Sequence, residues 1–117
     1  MHYQDKAFWL WFFQRVSAVL IFAALALHIL NVHYAELGKP ILFAGVALRL
    51  KNILILSGDS FLLFLGLFHG LNGLRAVLLD YDFFSRYDRT ISRLLIIVGL
   101  IFFIWGVRGL WAFIAIR

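Results

Sequence analysis

Residues 60–79 read SFLLFLGLFHGLNGLRAVLL, and this stretch decides the fold. About 20 helical residues extend roughly 30 Å, which is the thickness of the hydrocarbon layer of a bilayer. Apart from the serine at its start, the strongly polar side chains of the stretch are His69, Asn72 and Arg75. The stretch therefore predicts a transmembrane helix that carries His69 near the middle of the bilayer.

Two further apolar runs, residues 8–34 and 93–116, are also long enough to cross a bilayer. The chain of 117 residues is 64% hydrophobic and 15% charged, and its mean hydropathy of +0.95 is far above that of water-soluble domains. The sequence predicts an all-α integral membrane protein, a single domain over residues 1–117, with three transmembrane helices at about 8–34, 60–80 and 93–116.

The segment between the first two spans predicts an interfacial helix. Gly38-Lys39-Pro40 is a typical stop signal for the first helix. The following stretch, Ile41–Leu56, mixes apolar and basic residues and is expected to break at Ser57-Gly58-Asp59. It is too short and too charged to cross. The first span is interpreted as a retained helix, because its apolar stretch is much longer than that of a secretory signal.

Charge and cysteine content exclude several functions. The net charge is +5, but the basic residues are scattered over every flank, which argues against nucleic-acid binding and fits attraction to lipid headgroups. The absence of cysteine excludes a thiolate-ligated iron–sulfur cluster, a covalently attached haem and a disulfide. Any electrons that the chain handles must therefore arrive from another subunit.

Three spans place the two termini on opposite sides of the membrane. The side of the N-terminus includes the short loop Asp80–Arg93, with three arginines, whereas the other side carries Lys39, Arg49, Lys51 and Arg117. Because the loop is short and rich in arginine, we expect the N-terminus to be cytoplasmic, although the two sides are nearly balanced in charge.

His69 is the first candidate for a cofactor ligand. Gly66, Gly70 and Gly73 fall within about 100° of it around the helix, so that the neighbouring face lacks side chains. A flat macrocycle needs such a cleared face, with an imidazole projecting from it to bind iron. The alternative is a structural histidine that hydrogen-bonds across a helix contact lined with small residues.

The first span holds three more candidates. Arg15 lies one to two turns inside the belt of Trp9 and Trp11, where it needs either a counter-charge, such as a haem propionate, or a route to the headgroups. His28, about 20 Å further along the helix, is a candidate ligand of a second haem. His33 is a weaker candidate, because it lies near the interface, where histidines are usually solvated.

Other features of the spans are interpreted as structural. Ser17 is expected to hydrogen-bond its own helix backbone. The third span contains residues expected to serve helix packing and interfacial anchoring, namely Gly99, Gly106, Gly109, Trp105, Arg108 and Trp111.

Asp80, Tyr81 and Asp82 follow the second span. Two acids at the C-terminus of a helix oppose its dipole, which indicates that Asp80 is present for another reason. A tyrosine hydroxyl beside a carboxylate can hydrogen-bond a carbonyl oxygen and help to protonate it, as quinone reduction requires. The alternative is a belt tyrosine followed by acids that end the helix.

Two motifs, His69-x-x-x-Gly73-x-x-x-Val77-x-x-Asp80-Tyr81 and Gln14-Arg15-Val16-Ser17-Ala18, resemble those of the membrane-anchor subunits of succinate dehydrogenase (complex II) and the related fumarate reductases. The resemblance implies that His69 is an axial ligand of haem b, that Tyr81 hydrogen-bonds ubiquinone or menaquinone with support from Asp80, and that Arg15 pairs with a haem propionate. In the two-haem branch of the family a first-helix histidine binds a distal haem, a role that would fall to His28.

The resemblance also implies the partners, namely a second membrane anchor, an iron–sulfur subunit and a flavoprotein. The chain would be non-catalytic alone and would help to pass electrons to quinone, in a bacterial or archaeal cytoplasmic membrane or, alternatively, the mitochondrial inner membrane. Trp11 replaces the serine that SdhC-like anchors have one turn before the arginine, which favours an SdhD-like anchor, although Gly73-Leu74-Arg75 resembles the SdhC type. The alternatives are a cytochrome b anchor of another respiratory dehydrogenase and a haem-free structural or assembly subunit.

Overall fold

The computed structural model describes residues 3–34 and 38–115, which form five helices and no strand. In chain order these are α1 (Tyr3–His33), α2 (Phe43–Leu50), α3 (Ile53–Leu79), α4 (Asp82–Ser85) and α5 (Asp88–Ala115). Three of them, α1, α3 and α5, are long and apolar enough to cross a membrane. The predicted all-α membrane fold with three spans is therefore confirmed, while the predicted end of the third span at residue 116 and the charge of Arg117 lie outside the described residues.

The second spanning helix begins earlier than predicted. The side chain of Asn52 accepts a hydrogen bond from the backbone N–H of Leu54 at 2.9 Å, so that Asn52 caps α3 and the helix begins at Ile53. Ser57-Gly58-Asp59 lies inside α3, and the prediction that it breaks the chain was wrong. A glycine within a helix costs only about 1 kcal/mol, and the carboxylate of Asp59 lies 2.8 Å from the imidazole of His28.

α2 is shorter than the predicted interfacial helix Ile41–Leu56, because the last four residues of that stretch, from Ile53, belong to α3. Its eight residues contact α3 and α5. The ring of Phe43 lies 5.7 Å from that of Phe113, and Leu50 is buried. Gly38, in the connection from α1, has a φ of +81°, a value that L-residues with side chains rarely adopt. The predicted stop signal is thus a turn that depends on its glycine.

α5 begins five residues before the predicted start of the third span, and the reason is electrostatic. Asp88 lies in the first turn of α5, where a negative charge is stabilised by the helix dipole. It also accepts hydrogen bonds from the guanidinium of Arg75 at 2.6 Å and from the hydroxyl of Ser92 at 3.1 Å. The expected Asp80–Arg93 loop therefore consists mainly of helical residues.

α3 is the central helix, packed against α1 on one side and α5 on the other. A Cβ atom added to Gly99 would lie 2.8 Å from Leu71, and one added to Gly106 would lie 2.5 Å from Leu63, so these two glycines allow α3 and α5 to approach closely. Gly109 has no such neighbour among the described residues, so its predicted packing role is not within this chain and stays a prediction.

The buried core among the described residues is thin. It consists of Leu50, Leu56, Leu65 and the polar Ser17. At most 11% of the most apolar window of any spanning helix is buried. Because most of the apolar surface is uncovered, lipid or other protein chains cover it in the membrane.

Candidate functional site

The side chain of His69, on α3, contacts the side chain of Ser17, on α1. Nδ1 of His69 lies 3.1 Å from the hydroxyl oxygen of Ser17, and Ser17 is only 4% exposed. The same hydroxyl donates to the backbone carbonyl of Gln14 at 3.0 Å, which confirms the predicted bond of Ser17 to its own helix. The contact with His69 was not predicted. It joins the middle of the second span to the first.

The two contacts of Ser17 favour one tautomer of His69. A hydroxyl has one proton, and the carbonyl of Gln14 can only accept, so both contacts are satisfied only if Nδ1 of His69 carries a proton and donates to Ser17. In a neutral imidazole the second nitrogen, Nε2, then keeps its lone pair. Nε2 makes no hydrogen bond within the described part of the chain and is chemically able to bind a metal.

An amide network holds the backbone beside His69. The side-chain NH₂ of Gln14 donates to the carbonyl of His69 at 3.1 Å, while Asn72 donates to the side-chain oxygen of Gln14 at 2.8 Å and to the carbonyl of Leu10 at 3.3 Å. A Cβ atom at Gly73 would lie 3.2 Å from the amide nitrogen of Gln14. Gly73 therefore makes room for this network and does not belong to the cleared face predicted beside His69.

The cleared face itself consists of Gly66 and Gly70. A Cβ atom added at either position meets nothing within 4 Å, so no other described helix covers this surface. Among the residues that the structure describes, no group of three or more His, Cys, Asp or Glu side chains comes together. A haem iron held between two chains needs one axial side chain from each, and a histidine with one fixed N–H beside an open surface fits that requirement.

His28 forms a second polar cluster with Asp59. Nδ1 of His28 lies 2.8 Å from a carboxylate oxygen of Asp59, and the two side chains are 35% and 18% exposed. Sequence reasoning missed Asp59 because it was assigned to a break in the chain. Its signal was that of an acid at the start of a long apolar run, where a carboxylate normally requires a partner.

A cavity of about 400 Å³ adjoins the His28–Asp59 pair. Both residues line it, together with the small residues Ala23, Ala24 and Gly58. A larger, apolar cavity of about 430 Å³ lies between α1, α3 and α5, with Asn72, Arg75 and Ser92 as its polar lining. Each cavity has room for an apolar group within the membrane.

Arg15 is exposed, and its guanidinium carbon lies 4.5 Å from the ring centroid of Trp11, a cation–π contact. Ring contacts of 5.6 to 6.3 Å connect the exposed aromatic residues of this part of α1, namely Phe8, Trp9, Trp11, Phe12 and Phe13. This cluster of exposed aromatic side chains includes Trp9 and Trp11, the two residues that the sequence assigned to an interfacial aromatic belt.

The end of α3 carries the other candidates. Asp80 is the exposed C-cap of α3, and Tyr81, 62% exposed, precedes α4. Asp82 lies in the first turn of α4, where its charge is favourable, so it does not oppose the dipole of α3 as the sequence indicated. The structure brings neither Asp80 nor Tyr81 into contact with His69, which is about 16 Å away along the helix. His33 is exposed at the opposite end of the molecule.

Comparisons with known proteins agree on one family. The family model described as succinate dehydrogenase/fumarate reductase transmembrane subunit matches residues 1–107. Among curated proteins, the chain is 31% identical over 98 residues to the succinate dehydrogenase 2 membrane subunit SdhC of Mycobacterium tuberculosis, and the match covers 84% of this chain and 70% of that protein. No solved structure matches the chain significantly.

Proposed function

Because this chain belongs to the family of succinate dehydrogenase/fumarate reductase transmembrane subunits, we propose that it co-ligates haem b and forms part of the quinone site of a succinate:quinone oxidoreductase. Its three spans anchor the complex in the membrane. The chain is non-catalytic alone and acts within the assembled complex.

The proton position on His69 carries this proposal. In the tautomer that satisfies both contacts of Ser17, Nδ1 of His69 donates to Ser17 and Nε2 keeps its lone pair, while Gln14 bonds the backbone carbonyl of His69. Gly66 and Gly70 leave the neighbouring surface of α3 uncovered. The second axial ligand comes from the partner anchor, because neither His28 nor His33, the other histidines that the structure describes, lies at the depth of His69. Haem b, when bound, supplies one-electron transfer at this depth.

Arg15 is proposed to pair with a haem propionate. It lies two residues before Ser17 on α1, at nearly the same depth but about 160° around the helix from it. Its guanidinium is exposed, and its cation–π contact with Trp11 leaves its N–H donors available for a carboxylate.

His28 is proposed as the ligand of a second haem.

Tyr81 and Asp80 are proposed to form part of the quinone site. The exposure of Tyr81 at the end of α3 supports this role, because its hydroxyl is accessible to a molecule that arrives from the bilayer or from an adjoining subunit. Tyr81 donates a hydrogen bond to a quinone carbonyl oxygen, and Asp80 positions the tyrosine or relays protons.

The partners are proposed to be a second membrane anchor, an iron–sulfur subunit and a flavoprotein. The absence of cysteine supports the need for a separate electron donor, and the large uncovered apolar surface supports a second anchor beside α1 and α3. The assignment to the SdhD type remains a prediction that rests on Trp11, while the Mycobacterium tuberculosis relative is named SdhC.

The test is to co-express the chain with the products of its neighbouring genes and to purify the complex. We expect succinate to reduce an added quinone and the reduced-minus-oxidised spectrum to contain a low-spin haem b signal. A complex that assembles and reduces quinone without haem would support the alternative, a haem-free anchor. A complex with a different dehydrogenase activity would support a cytochrome b anchor of another respiratory enzyme.

A further inference from the structure

An acid within a spanning helix is costly unless its charge is compensated or its carboxylate accepts a hydrogen bond. Asp59 lies in the second turn of α3, between Ser57-Gly58 and Ser60, and its side chain is only 18% exposed. Its carboxylate contacts His28 of α1 at 2.8 Å and bonds to no other side chain among the described residues. The carboxylate of Asp59 therefore has one side-chain partner among the described residues, Nδ1 of His28.

This contact determines which nitrogen of His28 is free. An ionised carboxylate can only accept a hydrogen bond, so Nδ1 of His28 carries the proton that lies between them. In the neutral imidazole Nε2 keeps its lone pair. Histidines that bind metals commonly donate their other N–H to a carboxylate, which fixes the ring orientation and makes the ligating nitrogen more basic.

The surroundings leave space for a bulky group. His28 and Asp59 line the cavity of about 400 Å³ whose other lining residues include Ala23, Ala24 and Gly58. Small side chains at these positions open the α1–α3 contact next to the imidazole.

The two histidine clusters repeat one arrangement at two depths. Ser17 and His28 are eleven residues apart on α1, which places them about 16 Å apart along the axis and within about 20° around it. At the first depth α3 supplies the histidine and α1 the acceptor for its N–H, whereas at the second α1 supplies the histidine and α3 the acceptor.

We propose that Asp59 is the positioning residue of a second haem site, where its carboxylate holds the Nδ1 proton of His28 and directs Nε2 to the iron. The inference rests on the proposed function, because it assigns to Asp59 the task of orienting the proposed second ligand. Asp59 itself does not touch the iron.

The test uses the assembled complex, with haem counted by pyridine haemochrome and with a potentiometric titration followed in the visible spectrum. We expect two haems per complex in the wild type and one in His28→Ala. Asp59→Asn keeps an acceptor of the same shape but removes the charge, so we expect two haems and a shift of one midpoint potential to a more positive value. The shift follows because a less basic ligand stabilises the ferric state less. Asp59→Leu removes the acceptor, and haem content should fall towards one.

Asn31→Ala is the matched control. Asn31 lines the same cavity, but its side chain donates to the carbonyl of Leu27 in its own helix. Its replacement should leave the haem count and both potentials unchanged.

Two results would overturn the inference. A wild-type complex with a single haem that His69→Ala removes would exclude the second site and the proposed role of His28, and would leave the proposed roles of His69 and Tyr81 intact. Two unchanged midpoint potentials in Asp59→Asn would show that the carboxylate is only a structural partner of His28. In contrast, loss of the proposed function would appear as an unaltered haem spectrum in His69→Ala, a result that does not involve Asp59.

Discussion

At the scale of single residues, hydrogen bonds between the polar side chains inside the membrane limit the orientations that each side chain can adopt. Ser17 is buried, gives its only proton to a backbone carbonyl and can therefore only accept from His69. The imidazole is held without the use of Nε2. A ligand that is oriented before its metal binds loses less conformational freedom on binding, which favours retention of the metal group.

Replacing Ser17 by alanine tests this arrangement. The change removes one neutral hydrogen bond, worth about 0.5–1.5 kcal/mol, and leaves the ring of His69 less constrained. We expect the assembled Ser17→Ala complex to bind haem more weakly and the midpoint potential of that haem to shift, as followed by potentiometric titration. Ser85→Ala is the control, because Ser85 also bonds a carbonyl three residues earlier but contacts no histidine. Identical titrations of both variants and the wild type would contradict a positioning role for Ser17.

Tyr81 leads to a second prediction at this scale. Loss of one neutral hydrogen bond to the quinone should lower quinone reductase turnover about two- to tenfold in Tyr81→Phe. Haem content and succinate oxidation with an artificial acceptor should be unchanged, because that acceptor bypasses the membrane site. Tyr87→Phe removes the hydroxyl of another exposed tyrosine nearby and should have no effect. Wild-type turnover and inhibitor sensitivity in Tyr81→Phe would favour the belt tyrosine.

The sequence identified the chemically active side chains better than it identified their partners. Depth within an apolar run was enough to single out His69, His28 and Arg15, because an ionisable group in a membrane is costly wherever it points. The partners of His69 and His28 depend on how α1 and α3 are rotated and shifted against each other. A single sequence does not determine that register, so Ser17 and Asp59 were not recognised as hydrogen-bond acceptors.

At the scale of the helices, α3 determines the arrangement of the others. Polar contacts join it to α1 and an ion pair joins it to α5, where Arg75 bonds both Asp88 and Ser92. In lipid there is little hydrophobic drive for helices to associate, so hydrogen bonds and close approach at small residues hold them together.

Gly106 tests the close approach of α3 and α5. In Gly106→Ala the new methyl would lie 2.5 Å from Leu63, so the side chain of Leu63 or the helix must move, whereas Gly109→Ala meets nothing within 4 Å. Both changes bring the same gain in helix propensity, which cancels in the comparison. We expect Gly106→Ala to be less stable than Gly109→Ala by up to about 1 kcal/mol, because only the flexible end of the Leu63 side chain has to move, measured by thermal unfolding of the complex in mild detergent. Equal unfolding midpoints would show that this contact is loose.

The boundaries of the helices were less predictable than their number. Apolar length identified three spans, because the bilayer sets that length. The start of α3 was misplaced because Ser57-Gly58-Asp59 resembles a turn in sequence, whereas the cap at Asn52 and the partner of Asp59 decide the outcome. The start of α5 was misplaced because the charged residue Asp88 was assigned to a loop. In the structure Arg75 neutralises the charge of Asp88, and the residue belongs to the helix.

At the scale of the whole molecule, the chain is an incomplete unit. It measures 51 × 26 × 25 Å, and apolar side chains such as Phe22 and Leu54 are 79% and 78% exposed. A bilayer accommodates part of this surface. The rest agrees with a family whose members are subunits of larger membrane complexes.

The predicted orientation, with a cytoplasmic N-terminus, is open to a direct test because the chain has no cysteine. A single cysteine at Ser85 or at Tyr34 reports opposite ends of the molecule, and both positions are exposed. Since Arg86, Arg89 and Arg93 favour the cytoplasmic side, we expect an impermeant thiol reagent to label Tyr34→Cys in intact spheroplasts. Ser85→Cys should react only after lysis under denaturing conditions. The reverse pattern would place the N-terminus outside.

The most direct measurement is the reduced-minus-oxidised visible spectrum of the assembled complex with His69→Ala, compared with His33→Ala. His33 is an exposed histidine at the end of α1, so His33→Ala controls for the loss of an imidazole as such. We predict that His69→Ala abolishes or shifts the low-spin haem signal, while His33→Ala matches the wild type. An unchanged spectrum and an unchanged redox titration in the assembled His69→Ala complex would contradict the assignment of His69 as a haem ligand.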